Sequence, residues 1–237
     1  MSRPAHLLNL GTVEYREALD LQHRIAAEVA GGERPDTVLL LEHPPTITLG
    51  RRTEEGEVHV PEGADVAIVE VDRGGKSTYH APGQLVCYPI LDLKRHGQDV
   101  KRYCRDLEEA LIRTLGPRGV EATRIEGLTG IWVEGPPRKI ASIGIHVSKW
   151  VTTHGYALNV DLDPAPFTEW ITACGLENAA FTTIARQLGR AVAVDEVRPH
   201  AVAALEEVFG LELEELSADE GLGLRPEPVH GQIASAR

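Results

Sequence analysis

Apolar positions recur along the chain with two different spacings, and each spacing predicts a type of secondary structure. Alternating or continuous apolar runs predict strands at 7–10, 36–42, 46–50, 66–71, 85–90, 130–134, 138–147, 150–160 and 211–216. Helical spacing predicts helices at 13–30, 100–115, 167–174, 182–188 and 195–209. Glycine or proline pairs at 31–32, 44–45 and 116–117 separate several of these elements. The pattern therefore predicts a chain in which strands and helices are interspersed.

The strand at 138–147 carries Lys139 at its head and Gly144 in its middle. The preceding segment 130–137 reads as the first arm and the turn of a hairpin, which places Lys139 just past the turn. A lysine at this position is either a solvated strand-end cation or a functional group that needs a partner. A glycine inside a strand marks a bulge or a close approach to the backbone, and a ligand is one candidate for that approach. Gly155 lies within the following strand, so the two glycines suggest one slot lined by backbone.

The polar loop at 73–84 lies between two predicted strands and contains the sequence Gly-Lys-Ser. It is not a phosphate-binding P-loop, because the glycine that the motif requires five positions earlier is Glu70. Adjacent glycines, Gly74 and Gly75, let backbone amides approach a ligand, as an oxyanion or acyl-binding loop requires. A plain surface turn is the alternative.

Three cysteines, Cys87, Cys104 and Cys174, are odd in number and widely spaced, which disfavours a disulfide framework and CxxC metal sites. Cys87 and Cys104 fit apolar positions of a strand and a helix, so we expect them to be core residues. Cys174 precedes Gly175 at a predicted helix exit and is either a core residue or a nucleophile. A helix C-terminus raises the pKa of a thiol, so an active Cys174 needs a nearby cation, and Lys139 is the candidate.

The composition limits the classes of protein to which this chain can belong. The 237 residues are 42% hydrophobic, which is enough for a real core, and we see no interdomain linker, so residues 1–220 are expected to form a single domain with a loose tail at 221–237. No apolar run approaches the roughly 20 residues of a membrane span, and the N-terminus lacks a long apolar signal core, so a cytoplasmic location is expected.

The formal net charge of -12 argues against a general nucleic-acid binder, which needs a basic face. Five basic residues nevertheless cluster within 94–105, and we call them the basic cluster: Lys94, Arg95, Lys101, Arg102 and Arg105. The cluster either docks an acidic protein partner or is a solvated helix face. Asp99, in the same segment, is positioned to cap the helix at 100–115.

Four motifs resemble those of the octanoyltransferases of lipoate biosynthesis, within the biotin/lipoate protein ligase superfamily. The motifs are Arg-Gly-Gly at 73–75 with Thr-Tyr-His at 78–80 and Pro-Gly-Gln at 82–84, Lys-Ile-Ala-Ser at 139–142 with Gly144, His-Gly at 154–155 with Ala-Leu-Asn at 157–159, and Ala-Cys-Gly at 173–175. The resemblance spans residues 7 to about 190 in consistent order. Ala81 departs from the glycine usual in the family and adds a methyl group to the loop.

The resemblance implies an α/β fold, with a mixed β-sheet flanked by helices as in a biotin/lipoate protein ligase catalytic domain. It implies transfer of octanoyl from octanoyl-acyl carrier protein to a lysine of lipoyl domains, in 2-oxoacid dehydrogenase complexes and in the glycine cleavage H protein. Cys174 would be the acyl-thioester nucleophile and Lys139 the residue that activates it. The substrate-binding residues would be Arg73, Gly74, Gly75, Lys76, Ser77, Thr78, Tyr79, His80, Ser142, Ile143, Gly144, Gly155, Tyr156 and Ala157.

This chemistry needs neither ATP nor a metal, because thiolate attack on a thioester gives an acyl-cysteine of similar energy.

Two alternatives remain open. An ATP-dependent lipoate or biotin ligase would share the fold and much of the lysine segment, but would need nucleotide-binding residues and no catalytic cysteine. A non-enzymatic acyl-carrier-binding module would keep the basic cluster and form no acyl-enzyme.

Overall fold

The computed structural model describes residues 2–172 and 180–222. Within these residues the strands are β1 (Arg3–Thr12), β2 (Thr37–Glu42), β3 (Thr46–Leu49), β4 (Ala67–Glu70), β5 (Thr78–His80), β6 (Gln84–Ile90), β7 (Ala122–Ile125), β8 (Leu128–Val133), β9 (Arg138–Ser148), β10 (Val151–Asn159), β11 (Ala180–Phe181) and β12 (Leu211–Leu216). The helices are α1 (Tyr15–Gly31), α2 (Val100–Leu115), α3 (Pro166–Glu169), α4 (Ile184–Leu188), α5 (Val194–Phe209) and α6 (Ala218–Leu222). The predicted interspersion of strands and helices is confirmed.

Most of these strands form one mixed sheet. Its order is β12-β1-β2-β6-β10-β9-β8-β7, with β11 beside β9. The pairs β12/β1, β1/β2 and β11/β9 are parallel, and the other pairs are antiparallel. A separate small sheet has the order β4-β3-β5. The predicted hairpin is the pair β8 and β9, in which Lys139 pairs with Trp132 just past the turn.

Helices cover both faces of the large sheet because its central strands are apolar on both sides. Strand β2 is buried along its whole apolar run, as predicted for 36–42. On one face, Ile25 of α1 packs in a cluster with Leu39. On the other, Leu111 of α2 and Leu205 of α5 pack in a cluster with Leu40. A third, smaller apolar cluster lies under the small sheet.

Helix α2 begins where the sequence predicted. The side chain of Asp99 accepts hydrogen bonds from the backbone N–H groups of Lys101 and Arg102, at 2.9 and 3.0 Å, which satisfies donors left unpaired at the first turn. The predicted inner stripe is buried at Tyr103, Leu107, Leu111 and Leu115. The prediction was wrong for Val100, which is exposed, because Val100 is the first residue of the helix and the sheet does not cover it.

The helix expected at 167–174 is shorter than its apolar spacing predicted. It ends at Glu169, and the following backbone pairs with the 51–64 loop instead: His59 N–H donates to Trp170 O, and Thr172 N–H donates to Glu57 O. Ile171 forms a β-bridge with Val58. The helical prediction for 170–172 was wrong, because these tertiary backbone hydrogen bonds replace the helical ones. The argument that this helix exits at Cys174 therefore loses its basis, and Cys174 itself lies outside the described residues.

Two further differences concern segments expected to be irregular. The loop at 73–84 contains a short strand, β5, which pairs with β3. At the other end of the chain, α6 reaches Leu222, two residues into the expected tail, and Gly221 is buried against Leu8. The remaining tail, 223–237, lies outside the described residues. None of the described helices is both long enough and apolar enough to cross a membrane.

Candidate active site

A cavity of about 810 Å³ is lined by the 73–80 loop, by β9 and by β10. It collects these residues of the predicted site: Arg73, Gly74, Gly75, Lys76, Ser77, Thr78, His80, Lys139, Ser142, Ile143, Gly144, Gly155, Tyr156 and Ala157. Segments 59 positions apart in the sequence, residues 73–80 and the strand that begins near Lys139, therefore meet at one place, as the motifs predicted.

Tyr79 is the exception among the residues predicted to bind substrate. Side chains alternate along a strand, so Thr78 and His80 of β5 line the cavity while Tyr79 points the other way. Its ring packs edge-on against Phe167 and Trp170 in the small apolar cluster. The structure does not bring Tyr79 to the cavity, and its neighbours assign it to the core.

Lys139 is a buried residue of the cavity wall. Its side chain is only 4% exposed, and Nζ lies 5.4 Å from the centre of the Trp132 ring, within the range of a cation–π contact. Gly130 on β8 makes room for it, since a Cβ at Gly130 would lie 2.6 Å from Lys139 Cε. The interpretation of Lys139 as a solvated strand-end cation is wrong.

The two mid-strand glycines face each other, as the predicted slot requires. Gly144 of β9 pairs with Gly155 of β10. A Cβ at Gly155 would lie 2.2 Å from Cys87 O, and a Cβ at Gly144 would lie 2.9 Å from Arg73 Cδ. The close approach predicted at Gly144 exists, but the approaching group is the Arg73 side chain. The glycines thus allow the protein itself to pack tightly behind the cavity wall.

Arg73 holds the loop in its folded form. Nη1 donates to the carbonyl oxygens of Gly74 and Lys76 at 3.1 and 2.8 Å. Nη2 donates to Thr48 Oγ1 at 2.6 Å and to Thr48 O at 3.1 Å. Gly74 N–H in turn donates to Ile145 O of β9 at 2.9 Å. The loop is therefore a built part of the cavity wall and not a plain surface turn.

His80 adds a hydrogen-bond acceptor to this wall. Gln84 Nε2 donates to Tyr79 O and to Asn159 Oδ1, so its Oε1 is left to accept from His80 Nδ1, at 2.7 Å. Burial holds the pKa of His80 well below its usual value, so the ring is neutral near pH 7. With the proton assigned to Nδ1, Nε2 carries the lone pair and can accept a hydrogen bond.

Two of the three cysteines have settings that disfavour nucleophilic chemistry. Burial raises the pKa of Cys87 to about 12. Cys104 is only partly buried and lines the cavity, and burial raises its pKa as well. The expectation of a core residue is confirmed for Cys87 and is wrong for Cys104, because its position on α2 faces the cavity. The predicted pairing of Cys174 with Lys139 stays a prediction, because residues 173–179 lie outside the described part.

Sequence reasoning missed several residues of the cavity wall: Tyr15, Arg51, Arg52, Cys104 and Trp132. They come from a helix, a loop, a second helix and a strand that have no shared spacing in the sequence. Arg51 and Arg52 could have been found from the sequence, because two adjacent exposed cations directly after a strand are a local signal. Nothing local distinguished Tyr15 or Trp132 from ordinary core aromatics.

The chain matches the family described as the lipoyl protein ligase A/B catalytic domain over residues 14–206. Since this match covers well over half of its length, the chain belongs to that family. Curated octanoyltransferases are similar to it over most of their length. Those of Chloroflexus aurantiacus, Geobacter sulfurreducens and Mycobacterium tuberculosis are 48%, 50% and 51% identical over 208, 198 and 198 residues. These alignments cover 86%, 84% and 83% of this chain and 93%, 81% and 83% of the relatives.

Solved structures agree on the fold. A bipartite lipoate protein ligase from Thermoplasma acidophilum matches with a TM-score of 0.71 at 16% identity, over 94% of this chain and 91% of that one. A T. acidophilum structure with bound lipoic acid matches with a TM-score of 0.68 at 18% identity, over 93% of each chain. At such identities the likeness establishes the fold alone. The α/β class, the mixed sheet flanked by helices and the resemblance to octanoyltransferases, which are enzymes of protein lipoylation, are confirmed.

Proposed function

We propose that the protein transfers an octanoyl group from an acyl carrier protein to a lysine of a lipoyl domain, through a thioester on Cys174, in the cytoplasm. The observation that carries the proposal is the buried Lys139 in the wall of a cavity that also gathers the 73–80 loop and the paired glycines. The acceptors would be lipoyl domains of 2-oxoacid dehydrogenase complexes and the glycine cleavage H protein. The octanoyltransferase relatives, at about half identity, support the reaction class.

The described residues on both sides of 173–179 lie beside this cavity, which supports a role for Cys174. On one side, Thr172 N–H donates to Glu57 O, and the Glu57 carboxylate pairs with Lys76 of the cavity wall. On the other side, Phe181 of β11 pairs with Lys139. Both described segments that flank Cys174 in the sequence are thus hydrogen-bonded to residues in or next to the cavity wall.

The chemistry follows from the groups present. Lys139 takes the proton of Cys174, and the thiolate attacks the octanoyl thioester carbon. The carrier's thiolate leaves and receives a proton from the Lys139 ammonium. The lipoyl-domain amine then attacks the acyl-cysteine and loses its extra proton to Lys139. Lys139 passes that proton to the departing Cys174 sulfur, which restores the thiol and the neutral amine of Lys139. The acyl-cysteine is about as reactive as the starting thioester, so neither ATP nor a metal is required.

Intact mass measurement after incubation with octanoyl-acyl carrier protein, without ATP, tests the proposal. We expect a mass increase of one octanoyl group, lost on addition of a lipoyl domain. Cys174→Ser should abolish the adduct. Cys104→Ser is the matched control, because Cys104 is a thiol of the same cavity, and it should acylate like wild type.

Three outcomes contradict the proposal in different ways. Peptide mapping that locates the adduct on Cys87 or Cys104 would overturn the role of Cys174. Transfer that requires ATP and free octanoate, with no acyl-enzyme, would favour an ATP-dependent ligase. Carrier binding without any acyl transfer would favour a non-enzymatic module.

A further inference from the structure

Three imidazoles surround the carboxylate of Asp72, directly before the Arg73 loop. His154 Nε2 lies 2.8 Å from Asp72 Oδ1, while His146 Nε2 and His23 Nε2 lie 3.5 and 3.9 Å from Oδ2. His154 is buried, whereas His23 is half exposed. The carboxylate thus joins the start of the loop to strand β10, and its strong contact is the one with His154.

His154 occupies a backbone conformation that a bulky residue rarely adopts. Its φ is +58°, in the left-handed region, a conformation that strains a residue with a side chain and persists only when the surroundings hold it there. Its N–H donates to Gln22 Oε1 of α1 at 2.7 Å. The His154 imidazole is therefore held in place at a cost in backbone strain, directly before Gly155 of the glycine pair.

The hydrogen-bond directions are fixed by the carboxylate. Asp72 only accepts, so His154 Nε2 carries the proton and donates, and Nδ1 is left to accept. The hydroxyl of Tyr15 lies 3.4 Å from Nδ1 and is the donor there. Tyr15, Arg73 and His154 all line the cavity. The ordered chain of hydrogen bonds through Tyr15, His154 and Asp72 starts in the cavity wall and ends at the residue next to Arg73.

The protonation states support this arrangement across the neutral range. The His154 hydrogen bond holds the pKa of Asp72 well below its usual range, against the opposing effect of burial. Burial lowers the pKa of His154. The contact is therefore one between a carboxylate and a neutral imidazole near pH 7.

We propose that Asp72 and His154 are positioning residues for acyl transfer, and we call the pair the Asp72–His154 clamp. The clamp fastens the start of the loop to β10, and the bond from Gly74 N–H to Ile145 O fastens its middle to β9. With both attachments, Arg73 is held against Gly144 and the cavity keeps the shape that the reacting thioester meets. This inference rests on the proposed function.

The rate of acylation in single turnovers, measured over a range of octanoyl-acyl carrier protein concentrations, tests the clamp. We expect Asp72→Ala and His154→Asn each to lower the acylation rate by about tenfold or more, with little change in KM, because misplacement of about 1 Å near the reacting atoms is that costly. Asparagine tolerates the left-handed backbone of position 154, so this variant tests the lost contact and not backbone strain. Asp72→Asn keeps an acceptor oxygen and should recover part of the rate. His23→Asn, which removes the exposed imidazole beside the same carboxylate, is the matched control and should react like wild type.

Two readouts separate positioning from general destabilisation. The double variant should be no slower than the slower single variant, because both substitutions break one contact. Hydrogen exchange should show faster exchange of the 72–77 amides in both single variants at temperatures where the sheet stays protected. This measurement needs no substrate, so it tests the clamp even if the proposed acyl transfer fails. Multiplicative losses in the double variant, or wild-type exchange in the loop, would overturn the clamp.

Discussion

Lys139 is almost fully shielded from solvent and lies over the Trp132 ring, so its amino group can serve the cavity in two ways. In one, it remains an ammonium and stabilises a thiolate by charge alone. In the other, it alternates between amine and ammonium and carries protons between the thiol, the leaving group and the acceptor amine. Replacing Lys139 with arginine distinguishes the two roles. A guanidinium keeps the charge but, with a pKa above about 12, cannot release a proton near neutrality.

If Lys139 carries protons, we expect Lys139→Arg to lose on the order of 100-fold or more in kcat, the range typical of general acid–base catalysis. Arginine is larger than lysine, so a second test uses Lys139→Ala with added ethylamine. This test does not depend on whether an arginine side chain fits at position 139. Ethylamine should restore part of the rate, whereas tetramethylammonium, which has a charge but no proton, should not. Rescue by both cations, or near wild-type kcat in a folded Lys139→Arg variant, would leave Lys139 as a charge only.

Gly130 is the residue that makes the buried lysine possible. Its φ is +111°, and a Cβ there would lie 2.6 Å from Lys139 Cε and 2.5 Å from Ala141 O. Gly130→Ala must therefore strain the backbone and displace Lys139. We expect a fall in kcat as well as in the thermal midpoint.

Gly135→Ala is the matched control for this prediction. Gly135 has a φ of +97° and no atom within 4 Å of a built Cβ, so its replacement adds similar backbone strain without a steric conflict. It should lower the thermal midpoint and leave kcat unchanged. Equal effects of the two variants on kcat would show that the space around Lys139 does not matter.

At the scale of elements, the basic cluster at the start of α2 is less positive than its sequence indicated. Arg95 pairs with Asp36, Arg102 with Asp106, and Arg105 with Glu108. Lys94 and Lys101 are exposed. Helix α2 carries Cys104 in the cavity wall. Lys101 lies in its first turn and Lys94 lies six residues before the helix begins, so both lysines are near an element that borders the site and can steer an acidic carrier toward it.

If the cluster docks the carrier, Lys94→Glu combined with Lys101→Glu should raise KM for octanoyl-acyl carrier protein and flatten its salt dependence. The matched control is Arg24→Glu, because Arg24 is exposed on α1, on the opposite face of the sheet. The control should keep the wild-type KM. An unchanged KM at low salt in the double variant would leave the cluster as a solvated helix face.

The elements show why some features were readable from the sequence and others were not. Asp99 and the buried run of β2 are local signals, and both were predicted correctly. The 167–174 segment has helical spacing too, yet its backbone at 170–172 pairs with 57–59, more than 110 positions away. Likewise the approach of Arg73 to Gly144 depends on a contact between distant segments. The glycine signalled a close approach, but no local pattern identifies which group approaches.

At the scale of the whole molecule, the centre of the protein holds imidazoles that stay neutral. His43 donates through Nδ1 to Val13 O and accepts at Nε2 from the Tyr88 hydroxyl, both at 2.7 Å. Burial lowers the pKa of His43 to about 4. Burial also lowers the pKa values of His80 and His154. In the unfolded chain these groups titrate near 6.5.

The sign of the resulting pH dependence follows from proton binding. Below pH 6.5 the unfolded chain binds protons at these positions and the folded protein does not, so the free energy of unfolding falls as pH falls toward 4. For His43 alone the loss is on the order of 2 kcal/mol by pH 5. Asp72 acts in a lower window: its folded pKa is depressed, so its contribution is complete above about pH 4 and is lost only in stronger acid.

We therefore expect the thermal midpoint to drop by several degrees between pH 7 and pH 5, before the carboxylates titrate, at about 2–4 °C per kcal/mol for a chain of this size. His43→Gln should start from a lower midpoint at pH 7, because it loses the two buried hydrogen bonds, but its curve should fall less steeply toward pH 5. His59→Gln, at the exposed surface, is the matched control and should run parallel to wild type. A midpoint that stays constant from pH 7 to pH 5, or a His43→Gln curve parallel to wild type, would mean that the buried imidazoles take up protons without unfolding, and hence that the interior admits water or rearranges around them.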